Sequence, residues 1–137
     1  MDLRLQPAIG SLGRAIAISL QPAFDAAGVA EVTGGFYRQE GAADDALWLA
    51  TDLGLAIVHG HAAQTKHASE LHTERWTLEL CPWADVSNPE VSIEVRKVDG
   101  RPHARIRLLI QLPRVDLVGG GEELTPLVTA VMQAKGR

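Results

Sequence analysis

The spacing of apolar residues changes once along the second half of this chain, and that change restricts the fold more than any motif does. Val91, Ile93 and Val95 alternate with Ser92, Glu94 and Arg96. Ala104, Ile106, Leu108, Ile110 and Leu112 follow, with Arg105, Arg107 and Gln111 between them. Beyond Gly119-Gly120-Gly121 the step lengthens to three and four, through Leu124, Leu127, Val128, Val131 and Met132. Residues two apart share a strand face, and residues three or four apart share a helix face. The second half therefore predicts an antiparallel sheet with one dry face, closed by a C-terminal amphipathic helix. Asp99-Gly100-Arg101-Pro102 is the turn of a hairpin between residues 91–98 and 103–112. In its expected register Val91, Ile93 and Val95 oppose apolar residues from Ala104 to Ile110, and Glu94 and Arg96 share a face with Arg105 and Arg107. A slip of one residue would mix the two faces. Ile106, Leu108 and Val131 are expected in the core. The three glycines read as a flexible joint, with Thr125 as helix cap and Pro126 at the first helical position.

The first half is less regular. Ile9, Leu12, Ile16, Leu20, Phe24 and Ala27 fall at helical steps, which predicts a helix over residues 7–27. Pro22 would kink that helix or split it in two, and Gly28 would stop it. Residues 15–18 also fit a strand. Residues 29–39 read as a first strand with Gly34-Gly35 as a bulge or bend, and 40–45 as an acidic turn. Two apolar runs, 47–51 and 55–59, flank Asp52-Leu53-Gly54 as a tight hairpin. Residues 60–72 read as a loop. Trp76, Leu78 and Leu80 mark a fourth strand, which Pro82 to Pro89 end with a turn.

Composition narrows the function classes. The chain has 137 residues, 46 % hydrophobic and 22 % charged, the make-up of an ordinary globular domain. Its formal net charge of −4 argues against a general nucleic-acid binder and against electrostatic attachment to membranes. The uncharged run 15–24 is about half a membrane span. A lone cysteine, Cys81, allows no internal disulfide and points to a reducing, cytoplasmic setting. Cys81 reads as a small, partly buried hydrophobe, because no base nearby marks it as a nucleophile.

Five histidines invite a metal reading. His59 and His61 would share a strand face, and His67, His72 and His103 could join them. Zinc needs three or four converging ligands, and these spacings match no zinc motif. No Ser/His/Asp order, phosphate-cradling glycine motif or carboxylate pair stands out. Hence no catalytic residue, no cofactor and no metal site is assigned. Trp48, Trp76 and Trp83 are expected in the core or at a rim, where they could also line a ligand slot.

Leu49-Ala50-Thr51-Asp52, followed by residues 53–58, resembles the hairpin of bacterial pleckstrin-homology-like and GRAM-like domains. Trp83-Ala84-Asp85-Val86 resembles the element that ends their middle strand. With the terminal helix, the resemblance covers residues 29–135, although Gly54 stands where the family often has arginine. It implies an α+β fold: a strongly bent antiparallel sheet or partly open β-barrel of about six or seven strands, a C-terminal helix, and here an extra N-terminal helix. The expected division is 1–28 as a helical extension and 29–137 as the pleckstrin-homology-like unit. The implied function is a non-enzymatic module that binds protein, self-association included. Basic residues of the first hairpin loop bind phosphoinositides in some members. Here residues 38–45 hold one arginine against three acids, so phosphoinositide binding is not expected. Ile9, Leu12, Ile16, Leu20 and Phe24 are the expected interface with a partner protein or a second copy. The alternative is a small β-barrel that takes an apolar ligand, or a metal through His59, His61, His67 and His72, the latter as a metal-dependent hydrolase.

Overall fold

A computed structural model of the chain describes residues 20–39, 44–62 and 74–136. Residues 47–50 and 55–58 are apolar without a break, a pattern suited to strands covered on both faces. They lie at the centre of a four-stranded antiparallel sheet: β1 (Val32–Gln39), β2 (Asp44–Thr51), β3 (Gly54–Ala62) and β4 (Glu74–Pro82), side by side in chain order. A second, three-stranded sheet holds β5 (Glu90–Val98), β6 (Arg101–Ile110) and β7 (Val115–Gly120), again in chain order. Helix α1 (Gln21–Ala27) precedes the strands and helix α2 (Gly121–Lys135) follows them. The architecture is α+β, with two separate antiparallel sheets and no closed barrel among the described residues.

The first sheet divides two cores. On its inner face Phe36, Trp48, Leu55 and Ile57 meet Leu108, Ile110 and Leu117 of the second sheet and Leu124, Leu127 and Val131 of α2. On its outer face Leu47, Leu49, Ala56 and Val58 meet Phe24 of α1 with Val29 and Val32. Tyr37, Trp76, Leu78 and Leu80 pack partly buried around that outer cluster. The irregularity expected in the first strand is a register shift between Val32 and Gly34. There α2 lies directly on the strand: a Cβ on Gly34 would stand 2.3 Å from the Pro126 carbonyl oxygen, so only glycine fits.

Three ties hold the layers. The Thr51 hydroxyl donates to the Gly54 carbonyl and accepts from the Leu53 and Gly54 amides, closing the β2–β3 turn. The Asp52 carboxylate accepts from the amides of Ala30 and Glu31 and so holds the start of β1. Trp83, in a short 3-10 turn after β4, donates to the Thr51 carbonyl at 2.8 Å, while Lys135 of α2 donates to the Trp83 carbonyl at 2.9 Å.

Several expectations need correction. Of the two alternatives at Pro22, the structure shows no kink within a longer helix: Pro22 sits in the first turn of α1, as in the second piece of the expected split, and residues 7–19 lie outside the described residues. Ala27 is exposed rather than part of the apolar face. β3 runs on to Ala62, which takes residues 60–62 out of the expected loop. Gly119 and Gly120 end β7 and Gly121 opens α2, so the triplet is not a loose joint. Gly119 packs against Leu124 and the Phe36 ring, and Leu124 is fully buried. That burial makes the apolar face start before Thr125 and leaves Pro126 inside the helix. The dry face of β5 is also not dry: Val91, Ile93 and Val95 are 41, 68 and 63 % exposed. The β5–β6 hairpin outruns its cover: the inner core takes Leu108 and Ile110 from β6 but no residue from β5.

Leu108 and Val131 are fully buried and Ile106 half-buried. Leu108 lies between the two sheets, so Leu108→Ala should lower stability by about 2–5 kcal/mol. A denaturant melt of the two proteins checks it.

Candidate functional site

The hairpin that outruns the fold is the most exposed apolar feature of the described structure. Asp99 and Gly100 both have positive φ, 51° and 76°. Two left-handed residues make the two-residue turn whose twist matches that of paired strands, and Asp-Gly is well suited to it. From that turn the register runs Val98 to Arg101, Val95 to Ala104, Ile93 to Ile106 and Val91 to Leu108. The apolar residues thus share one face, as the alternation predicts. At the base this face is core, since Leu108 and Ile110 are buried. Toward the tip it is bare. All nine residues of β5 are exposed. β5 is an edge strand, and no described strand pairs with its outer side.

The opposite face of the hairpin is charged. Glu94 lies across from Arg105 and Ser92 from Arg107. Arg107 turns away from β5 to grip Asp116 on β7 through two hydrogen bonds of 2.8 Å. These bonds hold the Asp116 carboxyl below, and the Arg107 guanidinium above, their ordinary titration ranges. Among the described residues neither Glu90 nor Arg96 has an ion-pair partner within 4 Å. Such an edge of alternating apolar and charged residues leaves backbone groups that face no described strand.

The residues expected to form an interface lie elsewhere. Phe24 is fully buried inside the chain, and Leu20 packs half-buried beside it. The outer faces of β2 and β3 consume the Phe24 ring, so it is not open to a partner. Ile9, Leu12 and Ile16 lie outside the described residues.

The histidines separate in part. His59 is exposed on β3, with its ring edge-on to Trp48 at 6.4 Å. His61 follows two residues later on the same strand. His103 stands on β6 in the other sheet, across from Arg96. His67 and His72 lie outside the described residues. Among the described residues no three of His, Cys, Asp and Glu gather to hold a metal ion. Trp48 also carries the Arg38 guanidinium over its ring at 5.0 Å and touches Phe36. Cys81 is half-buried against the inner core. Burial pushes its thiol pKa up, and the carboxylates of Asp85 and Glu79 add to that, which keeps it protonated and unreactive.

An open trough beside α2 is lined by Thr33, Thr125, Pro126, Thr129 and Gln133. Its lining is mostly small neutral side chains, with no cluster of charge to fix a ligand.

No family model matches the chain, and no curated protein or solved structure matches it either. No described helix is long and apolar enough to cross a membrane.

Sequence reasoning missed the exposed β5 edge, although its alternation was plain. It also missed the bond from the Tyr37 hydroxyl to the Asp45 carboxylate, which crosses from β1 to β2. Burial first, then that bond and the charge of Asp45, push the Tyr37 pKa up from 10.0 to about 12. The neutral phenol is the form the fold favours. Its contribution to stability is therefore whole below pH 10 and is lost as pH rises toward about 12. Tyr37 is the chain's single tyrosine, so phenolate absorbance reports it alone. We expect a midpoint near pH 12 and a lower one in Asp45→Asn.

Proposed function

We propose that this chain is a non-enzymatic protein-binding module of pleckstrin-homology-like architecture, and that it binds through the β5 edge. The observation that carries this reading is the bare apolar ribbon Val91, Ile93 and Val95 on an edge strand, 41 to 68 % exposed. Large apolar side chains held side by side in water, on a strand whose outer hydrogen-bonding groups face no described strand, mark a surface that another chain completes. Sheets of four and three antiparallel strands with a C-terminal helix support the architectural part. So do the roles of Thr51, Asp52 and Trp83: the residues that carry the resemblance are the ones that tie turn, strand and helix together. The net charge of −4 and the acidic sequence of residues 40–45 favour a protein partner over nucleic acid or phosphoinositide. The proposed setting is cytoplasmic.

A photoreactive amino acid at position 93, incorporated in the cells from which the chain comes, tests this reading. Arg105 on the polar face serves as the control position. We expect protein adducts from 93 and few from 105. Equal yields at the two positions, or no protein adduct from 93, would remove the reading's main support.

A further inference from the structure

We infer that the partner of the β5 edge is a second copy of this chain, paired strand to strand about a two-fold axis at Ile93. The inference rests on the protein-binding reading and adds the identity of the partner and the register.

The backbone sets which groups are offered. In a two-residue hairpin the residues flanking the turn, Val98 and Arg101, form a hydrogen-bonded pair. Hydrogen-bonded and open pairs then alternate along an antiparallel ladder. Arg96, Glu94, Ser92 and Glu90 therefore spend their N–H and C=O groups on β6. Lys97 falls opposite Pro102 in an open pair, which suits a proline that has no N–H. Val95, Ile93 and Val91 are left with backbone groups pointing outward. They are the same residues whose side chains are bare.

Charge then selects the register. Antiparallel strands related by a two-fold axis perpendicular to the sheet keep their faces, so apolar residues must meet apolar ones. Centred on Ile93, Ile93 meets the partner's Ile93 and Val91 meets the partner's Val95. On the other face Glu90 meets the partner's Arg96, Glu94 meets the partner's Ser92, and symmetry repeats both contacts. Every position from 90 to 96 is then matched in kind or complementary in charge. Centred on Glu94, that carboxylate would meet its own copy. Centred on Ser92, Glu94 would meet the partner's Glu90. Centred on Val95, Glu94 would meet the partner's Arg96, but Lys97 would meet the partner's Ile93 and Val98 the partner's Ser92, so both faces would mix apolar with polar. Like charges directly across a strand pair are destabilising, and so is an apolar side chain set against a charge; of these registers only the one centred on Ile93 avoids both. A closed two-fold pairing also uses up the edge on both copies and ends there.

Sedimentation velocity of the full chain at roughly 100 µM, a concentration that would register even weak pairing, should show a dimer. Arg96→Glu and Glu90→Arg should each weaken it about tenfold or more, because each change puts like charges at two symmetric contacts. The double variant, Glu90→Arg with Arg96→Glu, should restore the affinity to within about threefold, as the two contacts are merely reversed. All these positions are exposed, and a melt of each variant confirms folding. A second arm changes no charge. In a Cys81→Ser background, Ile93→Cys should oxidise to a disulfide dimer. Val91→Cys and Val95→Cys should cross-link when mixed, and far less when each is alone. A monomer at that concentration, a dimer indifferent to the reversals, or cross-linking that ignores the register overturns the self-pairing. Two of these outcomes also separate it from the broader reading. A monomer whose position-93 probe captures a different protein keeps the binding module and discards the second copy. A monomer with no protein adduct discards both.

Discussion

The whole structure depends on one strand pair, β2 and β3, being shielded on both faces. Leu47, Leu49, Ala56 and Val58 point one way; Trp48, Ala50, Leu55 and Ile57 point the other, and all are buried. A strand pair of this kind cannot sit at the surface of a single-layered sheet, because one row of side chains would always face water. The chain meets the demand from both ends. Phe24 and Val29, before the strands, cover the outer row, while the second sheet and α2, after them, cover the inner row. The apolar side chains along both rows favour this burial at roughly 25 cal/mol for each Å² removed from water.

Polar ties give the layers their angles. Thr51 closes the β2–β3 turn, Asp52 holds the chain just before β1, and Trp83 reaches the Thr51 carbonyl from the far end of β4. Lys135 then fastens the end of α2 to Trp83. Ser87 plays the same part at the other sheet, where its hydroxyl accepts from the Gln111 and Leu112 amides and joins the β4–β5 link to the β6–β7 turn. Each of these side chains satisfies backbone groups at a turn or strand start, where no ladder partner exists. They fix geometry more than they add stability.

The sequence conveys faces well and cover poorly. Alternation places Val91, Ile93 and Val95 across from Leu108, Ile106 and Ala104, and the structure pairs them in that register. Alternation cannot say how far the covering layer extends, and the inner core reaches β6 without reaching β5. β7 itself is hidden in the sequence: Val115 and Leu117 alternate with Asp116, but three glycines follow and read as a joint. Gly119 is in fact a contact surface for Phe36 and Leu124. The unbroken runs 47–50 and 55–58 signal strands, but only the fold shows that two different layers cover them. Helical spacing at Leu20 and Phe24 correctly marks an apolar face. Its target is the chain's own sheet, a pairing too distant in sequence to read from periodicity.

The order in which these layers appear matters while the protein is being made. Within each sheet every strand pairs with its neighbour in the chain, so each sheet can form soon after its residues emerge, with small loop-closure costs. The inner row of β2 and β3 is different. Leu124, Leu127 and Val131 belong to α2, the fifteen-residue helix that follows the described strands. Until that helix leaves the ribosome, Trp48 and Ile57 lack part of their lid, and Gly34 waits for Pro126. From the emergence of β2 and β3 until α2 docks, the nascent chain thus carries a wet apolar seam, and a helix far along the sequence seals it.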